Sequence, residues 1–129
     1  MPILFKIILG SLIFISTTTN VYAEKELMAS WYSVLSLHRD GQWKITNGKM
    51  SNGKVFKDEE KTCATRLFKL GCYLRVTNTR NRKSVIVKVT DRIGKRFAYS
   101  RIDLSSSAFK AIAELKEGVI SCKVEVIYV

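Results

Sequence analysis

The sequence has little of what a metal or redox centre requires. It contains one histidine, His38, and three cysteines among 129 residues. Structural and catalytic zinc sites take three or four ligands from histidine, cysteine and carboxylate side chains at short, regular spacings. His38 lies in a polar stretch with no second histidine, and the cysteines do not follow such a spacing. We therefore expect no metal and no cofactor, and we interpret His38 as a surface residue.

The apolar run near the N-terminus is too short for a membrane span. Residues 1–15 fall below the roughly 20 residues that a spanning helix needs. Lys6 precedes the run from Ile7 to Ile15, and Val21-Tyr22-Ala23 forms a small-residue site of the A-x-A kind. This order is typical of a cleaved signal peptide covering residues 1–23, with a mature domain at 24–129. An uncleaved anchor is the alternative, and no cysteine near the run offers a lipid attachment site, so we expect no stable membrane anchor.

Acidic residues are half as numerous as basic ones. The 11 acidic and 22 basic side chains give a formal charge of +11, which falls to +10 when Lys6 is lost with the signal peptide. A charge of this size on a small domain attracts polyanions. In an exported protein, periplasmic or secreted, we expect that polyanion to be cell wall or membrane lipid and not nucleic acid. A basic surface that only aids solubility is the alternative.

The cysteine number is odd, and the predicted compartment permits disulfides. Three pairings of Cys63, Cys72 and Cys122 are possible, and each leaves one free thiol. We favour a Cys63–Cys72 disulfide because the two residues bracket a short irregular segment whose ends could lie close. Three reduced and buried cysteines remain the alternative, since a free cysteine packs as a small apolar residue.

Strand patterns recur along the mature chain. The runs rich in apolar and β-branched residues, or alternating between apolar and polar ones, are 27–34, 73–77, 84–89 and 122–129, with a short run at 102–104. Asn47-Gly48 and Asn52-Gly53 predict tight turns in a polar segment between the first two.

One helix is predicted, with its N-cap among the serines at 105–107 and its end at Gly118. Its buried stripe would consist of Phe109, Ile112, Ala113 and Leu115. About six short strands with one helix and no βαβ periodicity predict an all-β fold, a small closed barrel. We expect this domain to be a monomer.

Five stretches resemble, in the same order, the barrel domain of the rare lipoprotein A (RlpA) family. They are ASWYS at 29–33, SNGKVF at 51–56, TCATRLFKLGCYLRVTN at 62–78, SVIVKVTDR at 84–92 and RIDLSSSAF at 101–109. The resemblance covers nearly the whole mature chain. It implies a six-stranded double-psi β-barrel, related to those of expansins and of some endoglucanases and lytic transglycosylases.

The resemblance also implies an activity, which is cleavage of the peptidoglycan glycan between N-acetylmuramic acid and N-acetylglucosamine in peptide-free strands. Enzymes of this type leave a 1,6-anhydro end, because the sugar's own 6-hydroxyl attacks the anomeric carbon. The reaction needs a proton donor for the leaving oxygen and a base for the hydroxyl, and one carboxyl group can serve both in sequence. The two-carboxylate arrangement of hydrolytic glycosidases is then not obligatory.

The sequence departs from the family pattern at three polar positions. Where the family has Asn-Gly-Glu-x-Tyr-Asp followed by Thr-Ala-Ala-His, this chain keeps the spacing from Asn52 to Thr62. The positions of the family's Glu, Asp and His are occupied by Lys54, Lys57 and Thr65. Lysine and threonine do not readily carry protons near neutral pH.

The matching acids that remain are Asp91 and Asp103. By the resemblance we expect Asp103 to be the catalytic acid and base, with Asp91 shaping its charge or binding sugar. Structural alternatives are a turn acceptor paired with Arg92 or Arg101 for Asp91, and a helix cap for Asp103. The residues that we expect to bind glycan are Trp31, Tyr32, Lys54, Lys57 and Arg92. A non-catalytic module that binds or loosens the wall is the second hypothesis, and a secreted effector acting on a partner protein is a weaker third.

Overall fold

The computed structural model describes residues 24–128. The strands are β1 (Glu24–Tyr32), β2 (Thr62–Ala64), β3 (Tyr73–Asn78), β4 (Ser84–Asp91), β5 (Arg101–Ser105) and β6 (Ile120–Tyr128). The helices are α1 (Val34–Arg39), α2 (Gln42–Thr46) and α3 (Ser106–Ile112), with 3-10 turns at Lys95–Phe97 and Leu115–Glu117. The predicted signal peptide lies outside the described residues. Within the described range, no helix is long and apolar enough to cross a membrane.

The six strands form a closed barrel in the order β1-β5-β2-β4-β3-β6. The pairs β1–β5 and β2–β4 are parallel, and the remaining pairs are antiparallel. The predicted six-stranded, mainly β architecture is therefore confirmed.

The barrel interior is filled by the side chains that project from one face of each strand. In β3 and β4, Leu74, Val76, Val87 and Val89 are fully buried, whereas Ile86, which directly precedes Val87, is exposed. Alternation of this kind is expected because successive strand side chains point to opposite faces. Helix α3 packs Phe109 and Ile112 against the same core.

The helix content differs from the prediction of one helix ending at Gly118. Helix α3 is capped by Ser105 and ends at Ile112, and the following 3-10 turn is the element that ends at Gly118. Helices α1 and α2 occupy a stretch predicted as strand end and polar loop. At six and five residues they are too short to show a helical apolar period. Ser33 starts α1 through a reciprocal capping box with Ser36, so β1 ends before it.

The predicted disulfide is not formed. Cys63, Cys72 and Cys122 are all free and buried in the barrel core. Each thiol fills core volume as a small apolar residue does, which matches the alternative of a reduced, buried set. Burial raises the pKa of the Cys63 thiol, and it raises the pKa of Cys122 to about 12. The thiolates that disulfide exchange requires are therefore disfavoured.

Candidate functional site

A second, smaller apolar cluster lies on the outer face of the barrel. Its buried members are Tyr32, Met50, Phe56, Ala64 and Ile93. The chain between β1 and β2 covers this face with α1, α2 and a hairpin whose arms meet at a Lys49–Val55 bridge. The predicted Asn-Gly turns shape the hairpin, since Gly48 and Gly53 both have positive φ.

Ala64 on β2 brings the two predicted aspartates together. It is in register with Asp103 on β5 and with Asp91 on β4. Residues opposite each other in a sheet project from the same face, and two strand spacings put these Cα atoms on the order of 10 Å apart. The register of β2 and β4 shifts between Cys63 and Ala64, so Asp91 and not Thr90 aligns with Ala64.

Asp103 is half-buried in β5, and Ser30 on β1 donates a hydrogen bond to its Oδ1 at 3.0 Å. Burial raises the pKa of this carboxyl to about 6; the Ser30 hydrogen bond and Arg101 oppose the rise, and Asp91 adds to it. Asp103 does not cap helix α3, because the side chain of Ser105 accepts from the Ala108 amide. The capping alternative for Asp103 is therefore wrong.

Asp91 fastens the hairpin to the barrel. Its Oδ1 accepts from the Ser51 amide at 3.0 Å, from the Ser51 hydroxyl at 2.8 Å and from the Arg92 amide at 2.9 Å. These three donors fix the orientation of the carboxylate. The Arg92 contact is the turn-acceptor role foreseen as an alternative, made through the backbone of Arg92 rather than its guanidinium.

The guanidinium of Arg92 is used structurally as well. Its Nη1 donates to the carbonyls of Thr65 and Phe68, at 2.7 and 2.6 Å, which holds the loop after β2. Arg92 nevertheless lines a cavity of about 470 Å³ together with Asp91, bounded by α1, α2 and the hairpin. Asp103 does not line this cavity.

Trp31 and Tyr32 point to opposite faces of β1. Trp31 packs against the barrel core, and its indole Nε1 donates to the Leu115 carbonyl at 2.9 Å, so the structure does not bring it to the aspartates. Tyr32 lies on the site's face, yet it is only 9% exposed and its ring stacks on Phe56 at 4.4 Å between centroids. Its packing against Phe56 leaves little ring surface for a sugar.

The Tyr32 hydroxyl lies close enough to both aspartates to feel their negative charges. Burial is the main cause that raises its pKa, followed by the charges of Asp91 and Asp103. This hydroxyl is buried and has no hydrogen-bond partner among the residues described. Tyr32 is therefore a neutral phenol beside the acid pair.

The three residues that replace the family's polar groups are placed differently. Thr65 is fully buried, and its hydroxyl accepts from the Leu67 amide. Lys54 and Lys57 are exposed, and Lys54 lines a second cavity of about 300 Å³ beside the hairpin. Thr65 therefore has a structural role, and the two lysines place positive charge where the family has carboxylates.

Sequence reasoning missed the residues that hold the site in place. Ser30 and Ser51 orient the two aspartates, and Asp58 joins α1 to α3 by accepting from the Val34 amide at 2.8 Å and the Ser106 hydroxyl at 3.5 Å. Ser30 lies opposite Asp103 in the pairing of β1 with β5, which the sequence pattern does not indicate. No group of three or more metal-binding side chains occurs within residues 24–128.

The sequence matches a known family over most of its length. Residues 24–124 match the family model described as lytic transglycolase. The endolytic peptidoglycan transglycosylase RlpA of Rickettsia bellii is 35% identical over 100 residues, which are 78% of this chain and 41% of that protein. The protein of the same name from Haemophilus influenzae is 30% identical over 105 residues, 81% of this chain and 33% of the relative. The chain thus spans less than half the length of these relatives.

Solved structures share the fold at low identity. The Streptomyces papain inhibitor has a TM-score of 0.61 at 17% identity, covering 84% of this chain and 97% of that one. A mutant of Clavibacter michiganensis expansin in complex with cellohexaose has a TM-score of 0.55 at 18% identity, covering 81% and 50% of the two chains. These likenesses extend to the fold alone.

Proposed function

The chain belongs to the RlpA-like double-psi β-barrel family of lytic transglycolases, and from this premise we propose that it is an exported protein acting on peptidoglycan glycan strands. The predicted signal peptide supports export, and the positive charge supports binding to an anionic cell wall. We further propose that it cleaves peptide-free glycan between N-acetylmuramic acid and N-acetylglucosamine, leaving a 1,6-anhydro end.

The observation that carries the catalytic proposal is the setting of Asp103. A half-buried carboxyl with a pKa of about 6 holds a proton in about half of the molecules at pH 6 and still in about a tenth of them at pH 7, whereas an ordinary aspartate is almost fully ionised at both. Proton donation is most efficient when the pKa of the acid lies near the working pH. Asp103 is therefore suited to protonate the oxygen of a glycosidic bond.

The reaction needs only one such group. Asp103 donates its proton to the glycosidic oxygen as the bond from that oxygen to the anomeric carbon breaks, and the 6-hydroxyl oxygen of the same sugar bonds to that carbon. The Asp103 carboxylate then accepts the proton of the 6-hydroxyl, which regenerates the acid without water. In this scheme Ser30 positions Asp103, and the nearby Asp91 charge favours the protonated acid before the reaction.

A second function is favoured by the lysines. Lys54 and Lys57 are exposed at positions where the family has acids, and Thr65 is buried at the position of its histidine. In addition, Asp91 is engaged in hydrogen bonds to Ser51 and to the Arg92 amide. A protein with these features would bind wall glycan without cleaving it. This second function is therefore that of a non-catalytic module that binds or loosens the cell wall.

Digestion of peptide-free glycan separates the two functions. We expect the purified protein to release anhydro-ended fragments, detected by mass spectrometry, and Asp103→Asn to lower the rate at least 100-fold. Glu59→Gln, at an exposed acid on the loop before β2, is the matched control and should keep full activity. Binding to the glycan with no anhydro product from the unaltered protein would refute catalysis and leave the binding module.

A further inference from the structure

A second cavity lies beside the aspartates on the same outer face of the barrel. It has a volume of about 300 Å³ and is called here the lysine cavity. Its basic wall consists of Lys54, Lys61 and Lys88, and Glu60 is the acidic residue that lines it. Positive charge therefore exceeds negative charge around this space.

Two buried hydroxyls line the same cavity. Thr62 and Thr90 are 5% and 3% exposed, and neither Oγ1 has a hydrogen-bond partner among residues 24–128. A buried hydroxyl without a partner is unfavourable, so folded proteins usually satisfy such groups. Two of them at one cavity, on neighbouring strands, offer two hydrogen-bond donors to a ligand that accepts hydrogen bonds.

The lysines and the hydroxyls come from the same strand pair. Thr62 on β2 is in register with Lys88 on β4, and Thr90 follows two residues later on the same face. The Lys88 Nζ lies 5.9 Å from the centroid of the Tyr73 ring, at the edge of the cavity. Lys54 reaches the cavity from the hairpin, whose Asn52 amide donates to the Thr90 carbonyl at 3.1 Å.

The lysine cavity adjoins the proposed catalytic face. Thr90 directly precedes Asp91, and Thr62 lies two residues before Ala64, which is roughly 7 Å along a strand. Met50 lines both the lysine cavity and the cavity beside Asp91. A glycan strand crossing the aspartates would thus place a neighbouring sugar over the lysines.

We propose that the lysine cavity binds an anionic group, a carboxylate or a phosphate, carried by the wall polymer. This inference rests on the proposed function and specifies its substrate. When the stem peptide is removed from N-acetylmuramic acid, the lactyl group that had carried the peptide becomes a free carboxylate. The Thr62 and Thr90 hydroxyls donate to the anion, and the lysines balance its charge. The cavity thereby favours glycan that carries a free anionic group over neutral glycan.

Binding of two tetrasaccharides of equal length tests the proposal. One alternates N-acetylglucosamine with N-acetylmuramic acid, and the other contains only N-acetylglucosamine. We expect calorimetry to show at least tenfold tighter binding of the acidic sugar. Lys88→Met should remove most of this preference, whereas Lys69→Met, an exposed lysine that does not line the cavity, should leave it unchanged.

Removing one of the two hydroxyls tests the anion site without changing the net charge of the protein. Thr90→Val should weaken binding of the acidic tetrasaccharide three- to tenfold while the unfolding temperature stays the same or rises, since no hydrogen bond within the described residues is lost. A separate titration with inorganic phosphate, followed by NMR, tests whether the anion is a phosphate. Phosphate that perturbs the Thr62 and Thr90 amide resonances, while the acidic sugar does not, would support the anion site and identify phosphate as the anion.

Two results would overturn the inference. One is equal affinity of the unaltered protein for both sugars together with no response to phosphate. The other is a Lys88→Met variant indistinguishable from Lys69→Met. These results are separable from failure of the proposed function, because release of anhydro ends through Asp103 could persist without sugar selection. Selection could likewise persist in a protein that releases no anhydro ends.

Discussion

Replacing Asp103 by asparagine should stabilise the protein at pH 8 and have little effect at pH 3.5. Asparagine keeps the shape of the side chain and an oxygen that can accept from Ser30. In the native protein, burial raises the pKa of Asp103 from 3.8 to about 6. The native state therefore holds a proton that the unfolded chain has released when the pH lies between these two values.

The sign of the effect follows from this proton. Because the native state binds more protons than the unfolded state between pH 3.8 and about 6, the contribution of Asp103 to stability falls as pH rises through this window. Below it both states are protonated, and above it the full cost of a buried carboxylate is present. A shift of about two units corresponds to about 3 kcal/mol. Partial solvent contact reduces this to about 2 kcal/mol, or about 10 °C in unfolding temperature for a domain of this size.

Thermal unfolding followed by circular dichroism at pH 3.5, 5, 6 and 8 measures the difference between Asp103→Asn and the unaltered protein. The difference should grow across the window and level off above it. Asp40→Asn, at an exposed aspartate paired with Arg39, controls for the loss of one negative charge. A difference that is constant with pH, or a loss of stability at pH 8, would refute the account of Asp103 as a half-buried acid.

Two further predictions concern the surroundings of the acids. Gly48→Ala should lower the free energy of unfolding by about 3 kcal/mol, because φ is +73° and a Cβ would lie 2.4 Å from the Trp43 ring. Gly53→Ala, with positive φ and no close contact, should lose only about 1 kcal/mol in urea unfolding, and equal losses would contradict the clash. Tyr32→Phe should change stability by less than about 0.5 kcal/mol or increase it, since the hydroxyl has no partner within the described residues. Ser30→Ala, which removes a donor to Asp103, should lose about 1 kcal/mol, and a similar loss in Tyr32→Phe would show that its hydroxyl is bonded.

Five of the six strands and both aspartates were predictable because their signals are local, whereas β2, with three residues, is too short to show a strand pattern. Alternation in β3 and the β-branched run in β4 mark the barrel wall, and Asp91 and Asp103 stand in motifs that match the family. Helices α1 and α2 were not predicted, since each depends on one short stretch with no buried stripe of its own.

The contacts of the site were less predictable because they depend on strand order. That Ala64 lies between the two acids follows from parallel pairing of β2 with β4 and from a register shift, neither of which the sequence pattern indicates. Trp31 and Tyr32 face opposite sides of the sheet because side chains alternate along β1. Which of the two faces the barrel core depends on the strands that pair with β1. The lysine cavity likewise appears only when the hairpin lies across β2 and β4.

We propose that Asp103 supplies the proton for glycan cleavage. The most direct measurement is the rate of anhydro-end release from peptide-free glycan as a function of pH, for the unaltered protein and for Asp103→Asn. We predict that, for the unaltered protein, the rate falls tenfold per pH unit above about pH 6, the pKa of Asp103, and that the asparagine variant is at least 100-fold slower than the unaltered protein at pH 6 and shows no such fall. An Asp103→Asn variant that retains the activity and the pH profile of the unaltered protein would contradict a catalytic role for Asp103.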